Sequence, residues 1–243
     1  MPPETTSETT YGLSPVHASA STLLATNAPT TPPPFIPVTQ TPIPSTALAE
    51  RINEYARSHL PEPTYNHSLR VYHYGLAIKQ YRFPAWNFTD ETYLLACLLH
   101  DIGTTEENLH ATKMSFEFYG AFLALDVLQK ADTGPDAPKE QAESVAEAII
   151  RHQDLCEKGR ITALGQLLQL ATIFDNTGLY ADLVHPSTID DVSLHFPRLK
   201  WSHCFASTIH RELEIKPWAH TTALGIEDFP SKVLSNTLMS PYE

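Results

Sequence analysis

Two apolar stretches of this chain end in groups that apolar packing does not call for. "YLLACLLHD" runs from Tyr93 to Asp101 and closes on His100 and Asp101. "ITALGQLLQLATIFDN", from Ile161 to Asn176, carries Asp175 on the helical face of Leu164, Leu168, Ala171 and Thr172. Burying a carboxylate without a partner costs several kcal/mol, so such a group needs a cation or a dense set of hydrogen bonds. Two imidazoles are spaced to join these carboxylates. His67 opens the helical stretch beginning near Asn66, and His152 closes "AEAIIRH" on the face of Val145 and Ile149. Imidazole and carboxylate together suit a borderline divalent metal: zinc (Zn2+), or iron(II) (Fe2+) or manganese(II) (Mn2+). Each residue also has an ordinary reading. His67 fits a helix cap, His152 a cation at a helix C-terminus, and Asp175 a helix end before "NTG". Adjacent helical side chains diverge by about 100°, so His100 and Asp101 converge on one point only if that point is special. Spacing alone leaves both readings open.

The elements that would position these groups read as helices. "ALAERINEYARSHL" puts Leu48, Ile52, Tyr55, Ala56 and Leu60 near one face. "PEPTYNHSLRVYHYGLAIKQY" starts with prolines and then places Val71, Tyr74 and Ile78 at helical spacing. The next helix restarts after Pro84, with Thr89 or Asp90 as N-cap. Further helices are predicted over 115–130 and 139–152, with "DTGPDAP" as the loop between them. The stretch around Asp175 is apolar nearly all round and therefore central. The tail from Pro186 is expected to hold one or two helices, and no period-two alternation lasts long enough to predict a strand. Residues 1–45 differ: they hold ten of the twenty prolines, and their only charges are Glu4 and Glu8. That composition predicts an irregular strap, partly disordered, ahead of one all-α domain over 46–243.

Composition excludes several classes of function. The formal net charge is −12, the wrong sign for wrapping nucleic acid or coating an anionic membrane. The longest apolar run, Tyr93–Leu99, is far short of the roughly 20 residues that span a bilayer. Cys97, Cys156 and Cys204 are few, odd in number and far apart, which fits free thiols in a reducing compartment. "MPPETTSETTYG" has no basic residue, unlike a signal or transit peptide. A cytoplasmic protein is expected, with entry to the nucleus by diffusion.

The order His67, His100–Asp101, Asp175 on successive helices resembles the HD-domain superfamily of metal-dependent enzymes. "NHSLRVYHYGLAI", "CLLHDIGTTEENLHATKMSFEFYG", "AEAIIRHQDL", "ITALGQLLQLATIFDN", "HFPRLKW" and "KPWAHTT" together resemble the fungal cyanamide hydratases, including the DNA-damage-inducible ones of yeast. The similarity covers roughly residues 48–240. It implies an HD-type helical bundle around one zinc held by His67, His100, Asp101 and Asp175. It also implies a hydro-lyase that converts cyanamide to urea by attack of zinc-bound hydroxide on the nitrile carbon. His152, Thr172 and Asp101 are the catalytic candidates it points to, and it admits a homodimer. Phe116, Phe118, Tyr119 and Trp218 are candidate pocket walls, and His110 reads as a surface residue. A phosphohydrolase acting on nucleotides is the competing enzyme reading, with Arg70, Lys113 and Arg151 as the cations next to the motifs. Hydration of another small nitrile or an isonitrile is a further one.

Overall fold

The computed structural model describes residues 6–26, 28–130 and 134–243. The first five residues of the expected strap, its position 27 and the start of the 132–138 loop lie outside that set. In chain order the helices are α1 (Ser7–Thr10), α2 (Ala20–Ala25), α3 (Ala47–His59), α4 (Glu62–Arg82), α5 (Asp90–Leu99) and α6 (Glu106–Ala111). They continue with α7 (Phe116–Gln129), α8 (Lys139–Arg151), α9 (Ala163–Thr177), α10 (Pro186–His195), α11 (Trp201–Ile215) and α12 (Asp228–Leu234). The domain is all-α, as the periodicity predicts.

Helix α5 is the central rod. The Thr89 side chain caps it by accepting from the Thr92 N–H, and Asp90 and Glu91 lie in the first turn, where the helix dipole favours negative charge. Every residue from Thr92 to Leu99 is buried, so the helix can sit only at the centre. It packs against α3, α4, α8 and α9, while α4 lies along α9 and α7 along α8. Helix α9 is buried from Ala163 to Asn176. Thr162 caps its start, and Gly178 ends it at φ 72°, a left-handed turn that glycine adopts without strain.

Three elements differ from the sequence expectation. Helix α4 begins at Glu62, with Pro63 in its first turn where amide hydrogens have no helical partner. His67 therefore sits in the second turn and not at the opening. The tail holds three helices, α10, α11 and α12, because the polar segments between them hide separate short amphipathic faces. Trp201, Phe205, Ile209, Phe229 and Val233 of α11 and α12 form a small apolar cluster with Ile173 of α9, while Ile189 and Val192 of α10 join the main core. A short antiparallel pair also exists, β1 (Pro15–His17) with β2 (Arg160–Thr162), in register Val16 to Ile161. Three residues per strand are too few to leave an alternating pattern.

The described strap residues lie on the domain. Backbone N–H groups of Ala163 and Leu164 donate to Ser14 and Gly12 carbonyls, and the Ser144 hydroxyl donates to the Tyr11 carbonyl. Farther along, the Val38 N–H donates to Asp191, and the Tyr72 hydroxyl to the Pro42 carbonyl. The strap thus braces α4, α8, α9 and α10, the helices that carry the candidate site or flank it.

Candidate metal centre

His100 is the residue that ends α5, and Asp101 follows with φ −102° and ψ 10°, already out of helical geometry. That backbone break lets two adjacent side chains face one point. The turn is locked from below by Gly103. A Cβ there would lie 2.1 Å from the Phe116 carbonyl oxygen, so only glycine lets α7 approach this closely.

The imidazoles are held in one tautomer by their partners. His67 Nδ1 lies 2.6 Å from Asp175 Oδ2, and His100 Nδ1 lies 2.7 Å from the Cys97 carbonyl oxygen. Both partners only accept, so both Nδ1 atoms carry the hydrogen and both Nε2 atoms present lone pairs. Those two Nε2 atoms face each other at 3.3 Å. Asp101 Oδ2 lies 3.2 Å from His100 Nε2 and 3.8 Å from His67 Nε2. Both Asp101 oxygens are buried and accept no hydrogen bond. Two opposed lone pairs beside an unpartnered carboxylate repel unless a cation lies among them. Tetrahedral zinc with bonds of about 2.0–2.1 Å spaces its donors about 3.3 Å apart, which these separations approach. The donor set therefore fits a divalent metal. Burial pushes the His67 imidazole down to about 4, so it stays neutral. Burial opposes charge on His100 too, but the Asp101 carboxylate beside it raises its pKa, and a metal there would take the place of that proton.

Asp175 is placed behind the donors and not among them. Its Oδ2 accepts from His67 and from Arg70 Nη2 at 2.9 Å, and its Oδ1 accepts from Arg198 Nη1 at 2.8 Å. Asp175, Arg70 and Arg198 are fully buried. Burial would raise the carboxyl pKa, but the two guanidiniums and His67 hold it well below the usual range. Of the four sequence-expected ligands, the structure brings three together as free donors: His67, His100 and Asp101. Trp201 stacks on His67 with centroids 4.2 Å apart and fixes the ring plane.

His152 lies at the end of α8, with its ring edge-on to His100 at 5.2 Å. Its Nδ1 donates to the Ile149 carbonyl at 2.7 Å, which leaves Nε2 as a lone pair. Burial, and next the neighbouring His100, lower its pKa. Thr172 donates its hydroxyl hydrogen back to the Leu168 carbonyl at 2.9 Å. His100, Asp101, His152 and Thr172 line one cavity together with Gln153, Asn176, Ile173, Phe205, Leu224 and Phe229. Its free volume is about 10 Å³, room for about one water-sized molecule.

The expected pocket walls are mostly elsewhere. Phe116 packs edge-on against His152, but Phe118 stacks on His220 and Trp218 is 61% exposed, both lining a separate surface groove. Tyr119 does not line the cavity. Phe205 and Phe229 take that role from the tail helices. His110 is exposed. Arg198 is the residue that spacing missed, and Arg70, read from the sequence as a cation for a phosphate, is instead committed to Asp175: two arginines on different elements neutralise one aspartate, and nothing in the linear pattern pairs them. No Lys or Arg lines the cavity. Among the described residues, no helix is long and apolar enough to cross a membrane.

Comparison with known proteins identifies the family. The HD domain family model matches residues 64–177, the span from the first turn of α4 to the end of α9. Two curated proteins of Saccharomyces cerevisiae, cyanamide hydratase DDI2 and cyanamide hydratase DDI3, are each 47% identical over 196 residues. The match covers 81% of this chain and 85% of each relative. At that identity and coverage the chain belongs to the cyanamide hydratase family of HD-domain proteins.

Proposed function

We propose that this protein hydrates cyanamide to urea at a single zinc held by His67, His100 and Asp101. The observation that carries the metal reading is the pair of opposed Nε2 lone pairs beside an unpartnered, buried carboxylate. Family membership supplies the substrate. A bound divalent metal supplies Lewis acidity, lowering the pKa of water beside it from about 15.7 toward about 7. Asp175 orients His67 and raises its donor strength through the Nδ1–H hydrogen bond.

The remaining work falls to the cavity residues. His152 has its Nδ1–H pinned, so its Nε2 accepts the proton of the attacking water. The water oxygen bonds to the nitrile carbon, and one C–N π pair becomes a lone pair on nitrogen. His152 returns its proton to that nitrogen, and the resulting isourea tautomerises to urea. Asp101 keeps one oxygen free to hold the second hydrogen of the water. Thr172 has donated its only hydrogen, so its oxygen can only accept, and the cyanamide amino group is the matching donor. A ligand of three heavy atoms gains at most about 1.5 kcal/mol per atom, which puts KM near millimolar or above.

The cavity opposes the phosphohydrolase reading. Arg70 and Arg198 are both committed to Asp175, and no Lys or Arg side chain lines the cavity to neutralise a phosphate. The test is urea release from cyanamide by zinc-loaded protein, with phosphate release from deoxynucleotides measured in parallel. Urea formation that is lost in His100→Ala supports the proposal. Phosphate release without urea overturns it.

A further inference from the structure

The segment after α12 reaches back to the metal centre through one buried arginine. Arg198 Nη1 donates to Asp175 Oδ1 at 2.8 Å and to the Asp175 carbonyl at 3.1 Å. Its Nη2 donates to Ser202 Oγ, and its Nε donates to Glu243 Oε1 at 2.8 Å. The same Glu243 oxygen accepts from Ser202 Oγ at 2.6 Å. The segment is fixed by three further bonds. Asn236 Nδ2 donates to the Asp175 carbonyl, the Met239 N–H donates to Asn236 Oδ1, and the Tyr242 hydroxyl donates to Asp190. Residues 236–243 therefore close over the end of α9 that carries Asp175.

Charge explains what this closure does. Arg70 and Arg198 bring two positive charges to one Asp175 carboxylate, and all three are fully buried. A surplus positive charge would then lie directly behind His67, where it opposes a divalent cation. Glu243 supplies the missing negative charge. We propose that Glu243 is a positioning residue that sets the metal affinity of the His67, His100 and Asp101 group, acting through Arg198 and Asp175. The inference rests on the metal reading above. Two effects act in the same direction. Without the Glu243 charge, the cluster repels the metal. Arg198, no longer shared, also draws Asp175 density away from His67 Nδ1–H and weakens the ring as a donor.

Glu243→Gln tests this, because glutamine keeps an oxygen for Arg198 Nε and Ser202 Oγ and loses the charge, together with the long bond that Glu243 Oε2 accepts from the Ser202 N–H at 3.4 Å. The side chain is partly exposed, so the variant is expected to fold. Zinc alone is titrated into the full metal-free chain against a chelating dye. The dissociation constant is expected to rise about three- to tenfold, below the 10- to 100-fold usual for a direct ligand partner. Glu243→Lys should weaken binding further. The loss should persist at about 0.5 M salt, since Arg198 is shielded from solvent. The visible bands of the cobalt(II)-loaded variant should shift with the altered His67 donor. Unchanged zinc affinity, even with a lowered melting temperature, overturns the inference and leaves Glu243 purely structural. So does a loss that salt abolishes. A parent chain that binds no divalent metal overturns the metal reading itself, an outcome distinct from a parent that binds and a Glu243→Gln variant that binds equally well.

Discussion

Thr172→Val separates a catalytic role from a structural one with a single buried oxygen. The hydroxyl donates back to the Leu168 carbonyl at 2.9 Å and lies 3.1 Å from the Gln169 carbonyl. Both carbonyls belong to α9, Ala163–Thr177, so the hydroxyl bond is additional to the backbone ladder that holds the helix. Valine has the same branched shape, so neither a cavity nor a clash follows. The melting temperature should move by no more than about 4 °C, the equivalent of roughly 1 kcal/mol in a chain of this size. Function is different, because Thr172 lines the cavity and its Oγ has only acceptor capacity left. Losing one neutral hydrogen bond to the substrate amino group costs about 0.5–1.5 kcal/mol, or about two- to 13-fold in kcat/KM. Thr172→Ser, which keeps the oxygen, should retain most of the rate. The assay is initial-rate urea release from cyanamide by the zinc-loaded variants, alongside thermal melts. A Thr172→Val enzyme with parental kcat/KM refutes the reasoning. So does a Thr172→Ser enzyme as impaired as the valine variant.

Further outcomes follow from the same geometry. Stripping metal with a chelator should lower the melting temperature. At a free metal concentration 100 times Kd the linkage is about 2.7 kcal/mol, or about 5–10 °C, and calorimetry of apo and reloaded protein checks it. His73 is buried with Nδ1 on the Thr41 hydroxyl and Nε2 unpartnered, and burial lowers its pKa to about 4. Above pH ~6.5 it is neutral folded or unfolded and has no effect; between there and pH ~4 only the unfolded chain takes the proton, so stability falls, by up to about 3 kcal/mol. Denaturation of the metal-free chain at several pH values should show a slope of that sign, and His73→Gln should reduce it, the remainder coming from the buried His67 and His152. Leu224 lines the cavity from the 3-10 turn His220–Leu224 and is only partly buried. Leu224→Ala should admit larger nitriles while costing less stability than the 2–5 kcal/mol of a fully buried leucine, as relative kcat/KM across a nitrile series would show.

Much of the helical frame is legible in the linear pattern of residues. Apolar periodicity locates α3, α4, α5, α7, α8 and α9, because a helix must bury one face and repeats that need every three or four residues. Thr89 is readable as a cap because a hydroxyl before a helix satisfies a free N–H. Asp101 and Asp175 stand out because a carboxylate in an apolar setting demands a partner. The resemblance then names the chemistry that spacing leaves open. The boundaries of α4 and the three tail helices are less legible, since proline fits either before a first turn or inside it, and short amphipathic faces carry little signal.

What the sequence alone determined is therefore which groups are costly to bury and which helices carry them. What those groups do to each other belongs to the tertiary structure. Only there does Asp175 turn to Arg70, Arg198 and His67, leaving His67, His100 and Asp101 as the open donors. Only there does Trp218 prove to be a surface residue, while Phe205 and Phe229 from the tail close the cavity. Arg198 and Glu243 stand 45 positions apart and meet by packing alone. The physical reason is that local pattern fixes the face a residue occupies on its own helix. The partner of a buried charge is fixed by which helices pack together, and that depends on contacts distant in the chain.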